Sequence, residues 1–315
     1  MNKDALNALN DIMSQYSTIA SHHITDESSK QFLGVRNSIC RFCKKTTPDV
    51  SFKKDAHALP HCIGNNALFT YNECDLCNYK FGRLLENEFA KFMHLNHTIS
   101  GVRGKNGYPK YKMDDALIKT TGSNIDWSDV PIENINHNKD AGLIKIKQKI
   151  PAFIPIAMYK CFVKMALTLM PDNELVQFEN TLDWINEENH QNTKYPFENL
   201  LLFHGNVATT ERFHGISAIL VKRMDNTDRT KPYIMFRLTY ATFMFQVPIP
   251  LSKMDTTKKV TEFPYIPNLP DLKFGFNKME IGLMNLHYTE SLRGTEMTVT
   301  IKDLDGSGTV KYIDA

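Results

Sequence analysis

The sequence predicts an α+β protein, and three features of its 315 residues indicate this class. The stretch from Ser38 to Phe81 is rich in cysteine and turn residues and has no long helical period. Two later segments, 154–170 and 174–188, carry apolar residues at helical spacing. From Asn199 onward, runs of β-branched and aromatic residues are bounded by turn signals, which predicts a mostly antiparallel sheet.

The N-terminal part predicts two helices around this turn-rich stretch. Residues 3–16 place apolar side chains at helical spacing and predict a short amphipathic helix, followed by a loop at DESSK. Residues 81–95 show the same spacing and predict one helix directly after the last cysteine pair. A loop rich in Gly and Lys follows at 99–112.

The C-terminal part predicts helices and then strands. The apolar helix over 154–170 ends where Pro171 and Asp172 interrupt it, and an amphipathic helix follows. Strands are predicted in LLLFHG, GISAILVKRM, PYIMFRLTYATFMFQVPIP and EMTVTIK. We expect four parts: an N-terminal helix and linker (1–37), a compact unit (38–98), a basic loop and connecting segment (99–150) and a C-terminal α+β domain (151–315).

Bulk properties predict a cytoplasmic protein. The sequence contains no run of 18 or more apolar residues, so no membrane-spanning helix and no membrane partner are expected. The first residues lack a cationic region followed by an apolar core, which argues against a secretory signal. In a reducing compartment the six cysteines are better interpreted as free thiols or metal ligands than as disulfides.

Positive charge is concentrated in one part of the chain. Between Lys30 and Lys112 there are 14 Lys and Arg against 6 Asp and Glu, although the whole chain has a net charge of +2. Such an excess favours a polyanion, because phosphate contacts supply most of the nonspecific affinity for nucleic acids. The alternative is an ordinary solvated basic face.

Two C-x2-C pairs predict a zinc site. Each pair directs two thiolates at one point, and two pairs complete the tetrahedral shell of four sulfurs that zinc prefers. Of the two other cysteines, Cys62 is interpreted as incidental and Cys161 as part of an apolar core. The four predicted structural zinc ligands are Cys40, Cys43, Cys74 and Cys77.

The histidines between these pairs allow two interpretations. His57 and His61 are four residues apart and could bind zinc from one face of a helix. Pro60 argues against such a helix, because its ring clashes with the preceding turn. A histidine in an extended segment could instead act as a general base.

The order of these motifs resembles the HNH endonuclease superfamily, whose site is a ββα unit that many members clamp with a two-knuckle zinc. The pattern is C-x2-C, H-x2-P-x3-G and C-x2-C-N followed by a helix, within residues 38–95. It is carried here by Cys40, Cys43, His57, Pro60, Gly64, Cys74, Cys77 and Asn78. The resemblance implies a zinc-bound ββα-metal unit at 38–98, fused to a recognition or regulatory domain at 151–315.

The resemblance also implies an activity. His57 would be the base that deprotonates water, and Asn78 would be a ligand of one catalytic divalent metal such as Mg2+, Mn2+ or Ni2+. Helix capping is the alternative role for Asn78. Glu86, eight residues along the helix, would be a more distant supporting group. The expected function is hydrolysis of DNA phosphodiester bonds, in restriction or phage defence.

Two positions depart from the family pattern. Many members have an acidic metal ligand directly before the base, where this chain has Ala56; Asp55 and His61 are the candidate replacements. The middle asparagine, which orients the base, is also displaced, with Asn65, Asn66 and Asn72 as candidates. A zinc-stabilised protein that binds nucleic acid without cutting, or a sensor that needs a ligand or partner, is therefore the alternative.

Flanking residues predict a nucleic-acid surface, and the resemblance favours DNA over RNA as the substrate. Tyr108 and Tyr111 alternate with Lys110 and Lys112 and could stack on a base. The domain at 151–315 could bind an activating partner or form a homo-oligomer. The predicted nucleic-acid contacts are Lys53, Lys54, Lys80, Arg83, Arg103 and Lys105.

The C-terminal end carries a motif that we interpret as structural. Residues 303–314, DLDGSGTVKYID, match much of a calcium-binding EF-hand loop. A strand-like segment precedes them, so a Gly-rich hairpin turn explains the same residues. The scattered histidines His204, His214 and His287 are interpreted as structural as well.

Overall fold

The protein is α+β in the computed structural model, which describes residues 3–36, 39–121, 124–191, 194–207, 213–255, 260–266 and 279–302. The helices are α1 Lys3–Gln15, α2 Asp75–Phe81, α3 Asn87–Ile99, α4 Pro155–Leu169, α5 Asp172–Leu175 and α6 Glu179–Asn186. The strands are β1 Tyr16–Ile24, β2 Gln31–Leu33, β3 Ala56–His57, β4 Leu68–Thr70, β5 Tyr111–Met113, β6 Ala116–Thr120, β7 Ile125–Asp126, β8 Ile135–Asn138, β9 Leu143–Lys149, β10 Leu201–Val207, β11 Phe213–Arg223, β12 Ile234–Ala241, β13 Phe243–Pro248, β14 Met279–Asn285 and β15 Glu296–Lys302. The predicted fold class is confirmed.

The largest sheet is antiparallel, with strand order β1-β11-β12-β13-β10-β14. Its C-terminal strands confirm the predicted antiparallel sheet. Its first strand was not expected, because STIASHHI is largely polar and carries no strong strand signal. Pairing with β11, about 200 residues further along the chain, gives this segment its extended form. Smaller sheets have the orders β2-β4-β3, β5-β6-β7 and β15-β9-β8.

Two predicted helices differ from the expectation. The helix expected over 81–95 begins at Asp75 and contains a π-helical turn, Gly82–Glu86, between α2 and α3. The segment 174–188 divides into α5, a 3-10 turn and α6. Apolar spacing does not reveal such breaks, because packing against neighbouring elements decides them.

One hydrophobic core joins the unit of residues 38–98 to α4 and to the large antiparallel sheet. Phe162 of α4 lies between Phe89 of α3 and Phe245 of β13, with ring centroids 5.0 and 5.2 Å away. All the residues of α4 are buried. The division of the chain into four parts stays a prediction, and this core crosses the expected boundary near residue 150.

Both ends of α4 accept or donate hydrogen bonds with side chains from the unit of residues 38–98. At the N-terminus, the amide of Ile154 donates to Glu88 Oε2 at 2.8 Å. At the C-terminus, Arg41 Nη1 donates to the carbonyls of Leu167 and Met170 at 2.6 and 2.7 Å. A negative charge at the start and a positive charge at the end complement the helix dipole.

Two further sequence predictions concern membrane-spanning helices and the C-terminal EF-hand-like motif. Among the described residues, we find no helix with both the length and the apolar character needed to cross a membrane. The EF-hand-like segment 303–314 lies outside the described residues, as does the side chain of His214.

Candidate functional site

Four cysteine sulfurs come together where the sequence predicts zinc ligands, and they could hold a metal ion. The Sγ atoms of Cys40, Cys43, Cys74 and Cys77 all lie within 4.8 Å of one another. Cys43 Sγ and Cys74 Sγ are 3.8 Å apart, the separation expected around a tetrahedral ion with Zn–S bonds of about 2.3 Å. The cluster therefore fits structural zinc. Among the described residues, no second group of three or more His, Cys, Asp or Glu side chains converges in this way.

Hydrogen bonds within residues 38–98 act on one of the four cysteine sulfurs. The Cys77 thiol and the amides of Phe42, Cys43 and Cys74 direct hydrogen bonds at the Cys40 sulfur and lower its pKa to about 4, against the effect of burial. A thiolate is the form that binds zinc.

The start of α2 is fixed to the segment that precedes β3. Asp75, the first residue of α2, accepts hydrogen bonds from the amides of Lys53 and Lys54 at 3.1 and 2.9 Å and from Ser51 Oγ. Burial raises the pKa of Asp75, but these bonds outweigh it and lower the pKa. The helix that carries the last zinc ligand is thereby tied to β3.

His57 lies on β3, at the edge of the sheet β2-β4-β3. It pairs in register with Phe69 of β4, and the two rings are 4.7 Å apart. Burial lowers the pKa of this half-buried histidine to about 4, and the charges of His61, Lys164 and Lys105 act in the same direction. The imidazole is thus neutral near pH 7, the form in which it can accept a proton.

His61 and Asp55 flank this histidine differently. His61 begins the 3-10 turn His61–Ile63, and its ring centroid lies 5.1 Å from that of His57. Its buried Nδ1 has no hydrogen-bond partner among the described residues. An imidazole nitrogen without a partner beside His57 could serve as a metal ligand. Asp55 is exposed and close enough to interact electrostatically with His57, while Ala56 is buried.

Asn65 stands out among the three candidates for the middle asparagine. Its fully buried amide donates to the carbonyls of Leu59 and Leu68 and accepts from the amides of Ala67 and Leu68. These bonds close the loop between β3 and β4. Asn66 is exposed and donates to the Gly64 carbonyl at 3.3 Å.

Two predicted helix residues lie on different parts of the bent helix. Asn78 is half-buried inside α2, whose N-cap position is Cys74, so the capping alternative for Asn78 is wrong. Glu86 ends the π-helical turn and is directed at α4, where its Oε1 accepts from Lys164 Nζ at 3.3 Å. Uniform α-helical spacing does not predict that Glu86 is directed at α4, because it does not include the π-helical turn.

Lys164 and Glu73 lie next to the candidate site, and no pattern in the sequence predicted their position. Lys164 is fully buried in α4, and its Nζ lies 3.1 Å from Glu73 Oε2 and 3.1 Å from the carbonyl oxygen of His57. Burial raises the pKa of Glu73, and the ammonium of Lys164 acts in the opposite direction. An apolar helical pattern predicts a core helix and gives no sign that one of its lysines reaches β3.

The predicted basic contacts divide into exposed and engaged side chains. Lys53, Lys54, Arg103 and Lys105 are exposed, and the charge of Lys105 reaches His57. Lys80, in contrast, directs its ammonium at Asn186 Oδ1, 2.8 Å away.

Two further residues of the predicted surface are placed differently. Arg83 is exposed and lies 4.0 Å from Glu188. Tyr111 is fully buried and donates to the Lys149 carbonyl, so its expected role in base stacking is wrong. Tyr108 remains partly exposed.

A row of aromatic rings and cations extends from His57 across the same face of the sheet. Phe32 of β2 stacks on Phe69 at 5.3 Å and on Tyr71 at 4.5 Å. Lys30 lies over the Phe69 ring, and Arg36 lies over Tyr71 and donates to its hydroxyl at 3.3 Å. Cation–π contacts hold both charges beside the candidate site. We call Lys30, Phe32, Arg36, Phe69 and Tyr71 the aromatic–cation row.

Two short strands, a connecting loop and a helix held by four thiols define a ββα unit with a structural metal site. The family model described as HNH endonuclease matches residues 40–94, and this segment is therefore an HNH domain. The matched family consists of nucleases, so an HNH domain implies a nucleic-acid substrate. Comparison with curated proteins and with solved structures found no match for the chain.

Proposed function

We propose that the protein is a metal-dependent endonuclease that hydrolyses DNA phosphodiester bonds. The observation that carries this proposal is the place of His57, neutral and half-buried on the edge strand of the zinc-clamped HNH domain. A general base must be deprotonated at the working pH and open to water on one side. His57 meets both requirements.

The chemical step needs one proton transfer at this site. The imidazole of His57 accepts a proton from a water molecule, whose oxygen attacks phosphorus while the bond to the leaving sugar oxygen breaks. The leaving oxygen takes its proton from solvent water. Asn65 fixes the loop behind β3, and Phe69 packs against the imidazole, so the ring is held for this transfer.

A divalent cation would complete the site. His61 and Asn78 are the side chains that we propose would hold it, with exposed Asp55 as a further ligand. The buried, unpartnered Nδ1 of His61 fits this role. When bound, such a cation would neutralise charge on the scissile phosphate and on the leaving oxygen.

The test is cleavage of supercoiled plasmid by the purified protein with Mg2+, Mn2+, Ni2+ or EDTA. We expect metal-dependent nicking that His57→Ala reduces by about 100-fold or more, because a general base typically contributes about 100- to 10,000-fold. His23→Ala, at an exposed histidine of β1, should cut like the wild type. Equal activity of His57→Ala and wild type would contradict the proposed base.

A binding or sensor function is the second candidate. Ala56 occupies the position where many relatives carry an acidic metal ligand, and this observation favours it. Such a protein would bind DNA and cut it with none of these metals, or would cut only after a ligand or partner is added through residues 151–315. Restriction or phage defence is the setting we propose for the nuclease.

We also propose that the aromatic–cation row contacts phosphates of the bound strand. Lys30 and Arg36 are exposed, are held over aromatic rings and lie on the side of the sheet that carries His57. Each phosphate contact adds about 0.9 to the slope of log affinity against log salt concentration for duplex DNA. In EDTA, Lys30→Gln and Arg36→Gln should each lower the slope by about this amount. Lys139→Gln, in the turn after β8, should leave it unchanged; equal slopes in all variants would exclude these contacts.

A further inference from the structure

A buried lysine of the C-terminal part reaches the backbone of the proposed base. Lys164 lies in the middle of α4, 107 residues beyond His57 in the chain, and its side chain is fully buried. Its Nζ donates to the His57 carbonyl at 3.1 Å and to Glu86 Oε1 at 3.3 Å. With Glu73 Oε2 at 3.1 Å, three oxygens surround the ammonium.

The ammonium is charged in this setting. Burial disfavours the charged form, but the carboxylates of Glu73 and Glu86 outweigh this effect and raise the pKa of Lys164. A charged donor makes a hydrogen bond roughly twice as strong as a neutral one. The bond to His57 is therefore a strong contact made by a fully buried ammonium.

The His57 carbonyl needs such a donor because of its place in the sheet. Strand β3 is an edge strand, and the Ala58 amide donates to the Leu68 carbonyl at 3.1 Å. In an antiparallel pair the residue beside a hydrogen-bonded position turns its own carbonyl away from the partner strand. The carbonyl of His57 thus faces away from β4 and towards α4.

We infer that Lys164 is a positioning residue that fixes the backbone of His57, and with it the imidazole, through this ammonium–carbonyl bond. The inference rests on the proposed role of His57 as the base. It makes α4, which lies outside the matched segment 40–94, a working part of the nuclease site. Glu73 and Glu86 hold the ammonium at the carbonyl.

The test compares variants that separate this bond from charge balance. Lys164→Met removes the bond but leaves Glu73 buried without a partner, which threatens folding. The double variant Lys164→Met/Glu73→Gln removes the same bond without that buried charge, and Glu73→Gln alone keeps it. Lys160→Met is the matched control, because Lys160 is a buried lysine one turn earlier whose Nζ contacts the Glu187 carbonyl and the Trp184 ring.

Two measurements on the full-length zinc-loaded proteins decide the matter. Single-turnover plasmid cleavage should fall about 10- to 100-fold in the double variant, the effect of misplacing a reacting group by about 1 Å. DNA affinity in EDTA and zinc content should match the wild type. Lys160→Met should cut like the wild type. Glu73→Gln, which keeps the ammonium–carbonyl bond, should lose less activity than the double variant.

The second measurement does not depend on cleavage. The chain contains one His-Ala dipeptide, His57–Ala58, so labelling with carbonyl-13C histidine and 15N alanine gives one NMR cross-peak for this peptide bond. We expect its carbonyl resonance to move upfield in the double variant, because hydrogen bonding deshields the carbonyl carbon, and to stay in place in Lys160→Met.

An unmoved resonance, or full cleavage by the double variant, would overturn the inference. If the wild type itself does not cut DNA, the proposed function fails, and the cross-peak still reports whether Lys164 holds the His57 carbonyl.

Discussion

At the scale of single residues, one buried amide organises the loop that carries the candidate site. The side-chain amide of Asn65 forms four hydrogen bonds within the loop. They join Leu59, after β3, to Ala67 and Leu68 at the start of β4. The adjacent Asn66 has the same chemistry but lies at the surface with a single long bond. The two asparagines therefore form a natural pair of test and control.

We predict that Asn65→Ala lowers the free energy of unfolding by about 2–4 kcal/mol, because each buried group left unsatisfied costs about 1–3 kcal/mol. Cleavage should fall as well, since the loop supports β3. Asn66→Ala should change stability by less than about 0.5 kcal/mol. Chemical denaturation of both variants measures this, and equal stabilities would show that the loop does not depend on Asn65.

A second residue predicts how stability depends on pH. His97 is fully buried on α3, and its Nε2 lies 2.8 Å from the Tyr240 hydroxyl. Burial lowers its pKa to about 3, with His94 acting in the same direction. The folded state therefore prefers neutral His97, and its contribution is complete above pH 6.5 and is lost as the pH falls towards 3.

Between pH 6 and pH 4, the wild type should lose about 1.4 kcal/mol per pH unit more than His97→Gln, which cannot titrate. Denaturation at a series of pH values gives both slopes. Other buried histidines and the zinc thiolates contribute equally to both proteins, so their effects cancel in the difference. Parallel curves would show that His97 does not titrate on unfolding.

At the scale of elements, the central helix α4 depends on side chains that lie far away in the sequence. Arg41 follows the first zinc cysteine and donates to the carbonyls of Leu167, Thr168 and Met170, while its Nη2 contacts Asp172 at 2.6 Å. The last carbonyls of a helix have no partners within it. The zinc knuckle thus supplies the C-terminal cap of α4.

We predict that Arg41→Ala lowers the free energy of unfolding by about 2–3 kcal/mol, because buried carbonyls lose a charged donor. Lys45→Ala, on an exposed side chain of the same knuckle, should have little effect. Thermal unfolding of the zinc-loaded proteins compares them. A melting temperature of Arg41→Ala equal to that of Lys45→Ala would contradict the capping role.

At the scale of the whole molecule, the HNH domain shares its core with the rest of the chain. Phe89 of α3 packs edge-on against Phe162 and Phe245, which belong to α4 and β13. Strand β1, which precedes the HNH domain, pairs with β11. The domain is therefore covered on its inner side by elements that the resemblance does not include.

We predict that an isolated fragment of residues 38–98 does not fold to the state it has in the full chain, even with zinc bound. A unit of about 60 residues is marginal when complete, and this one would expose Phe89, Phe92 and Met93 to water. A proton–nitrogen NMR spectrum of the fragment with zinc should show poor dispersion. A well-dispersed spectrum would instead support an independent domain with the predicted boundaries.

The sequence alone determined the features that depend on short spacings. Local patterns predict the two cysteine pairs, the position of His57 before Pro60, the apolar helix near 154–170 and the antiparallel strands after Asn199. They do so because zinc geometry, proline sterics and side-chain periodicity act over a few residues.

Tertiary structure alone decided the contacts that join distant segments. Pairing with β11 makes β1 a strand, packing against α4 accompanies the π-helical turn, and the fold brings Lys164 to the carbonyl of His57. These contacts depend on where the chain places residues in space. A local pattern contains no information on that placement, because the partners are far apart in the sequence.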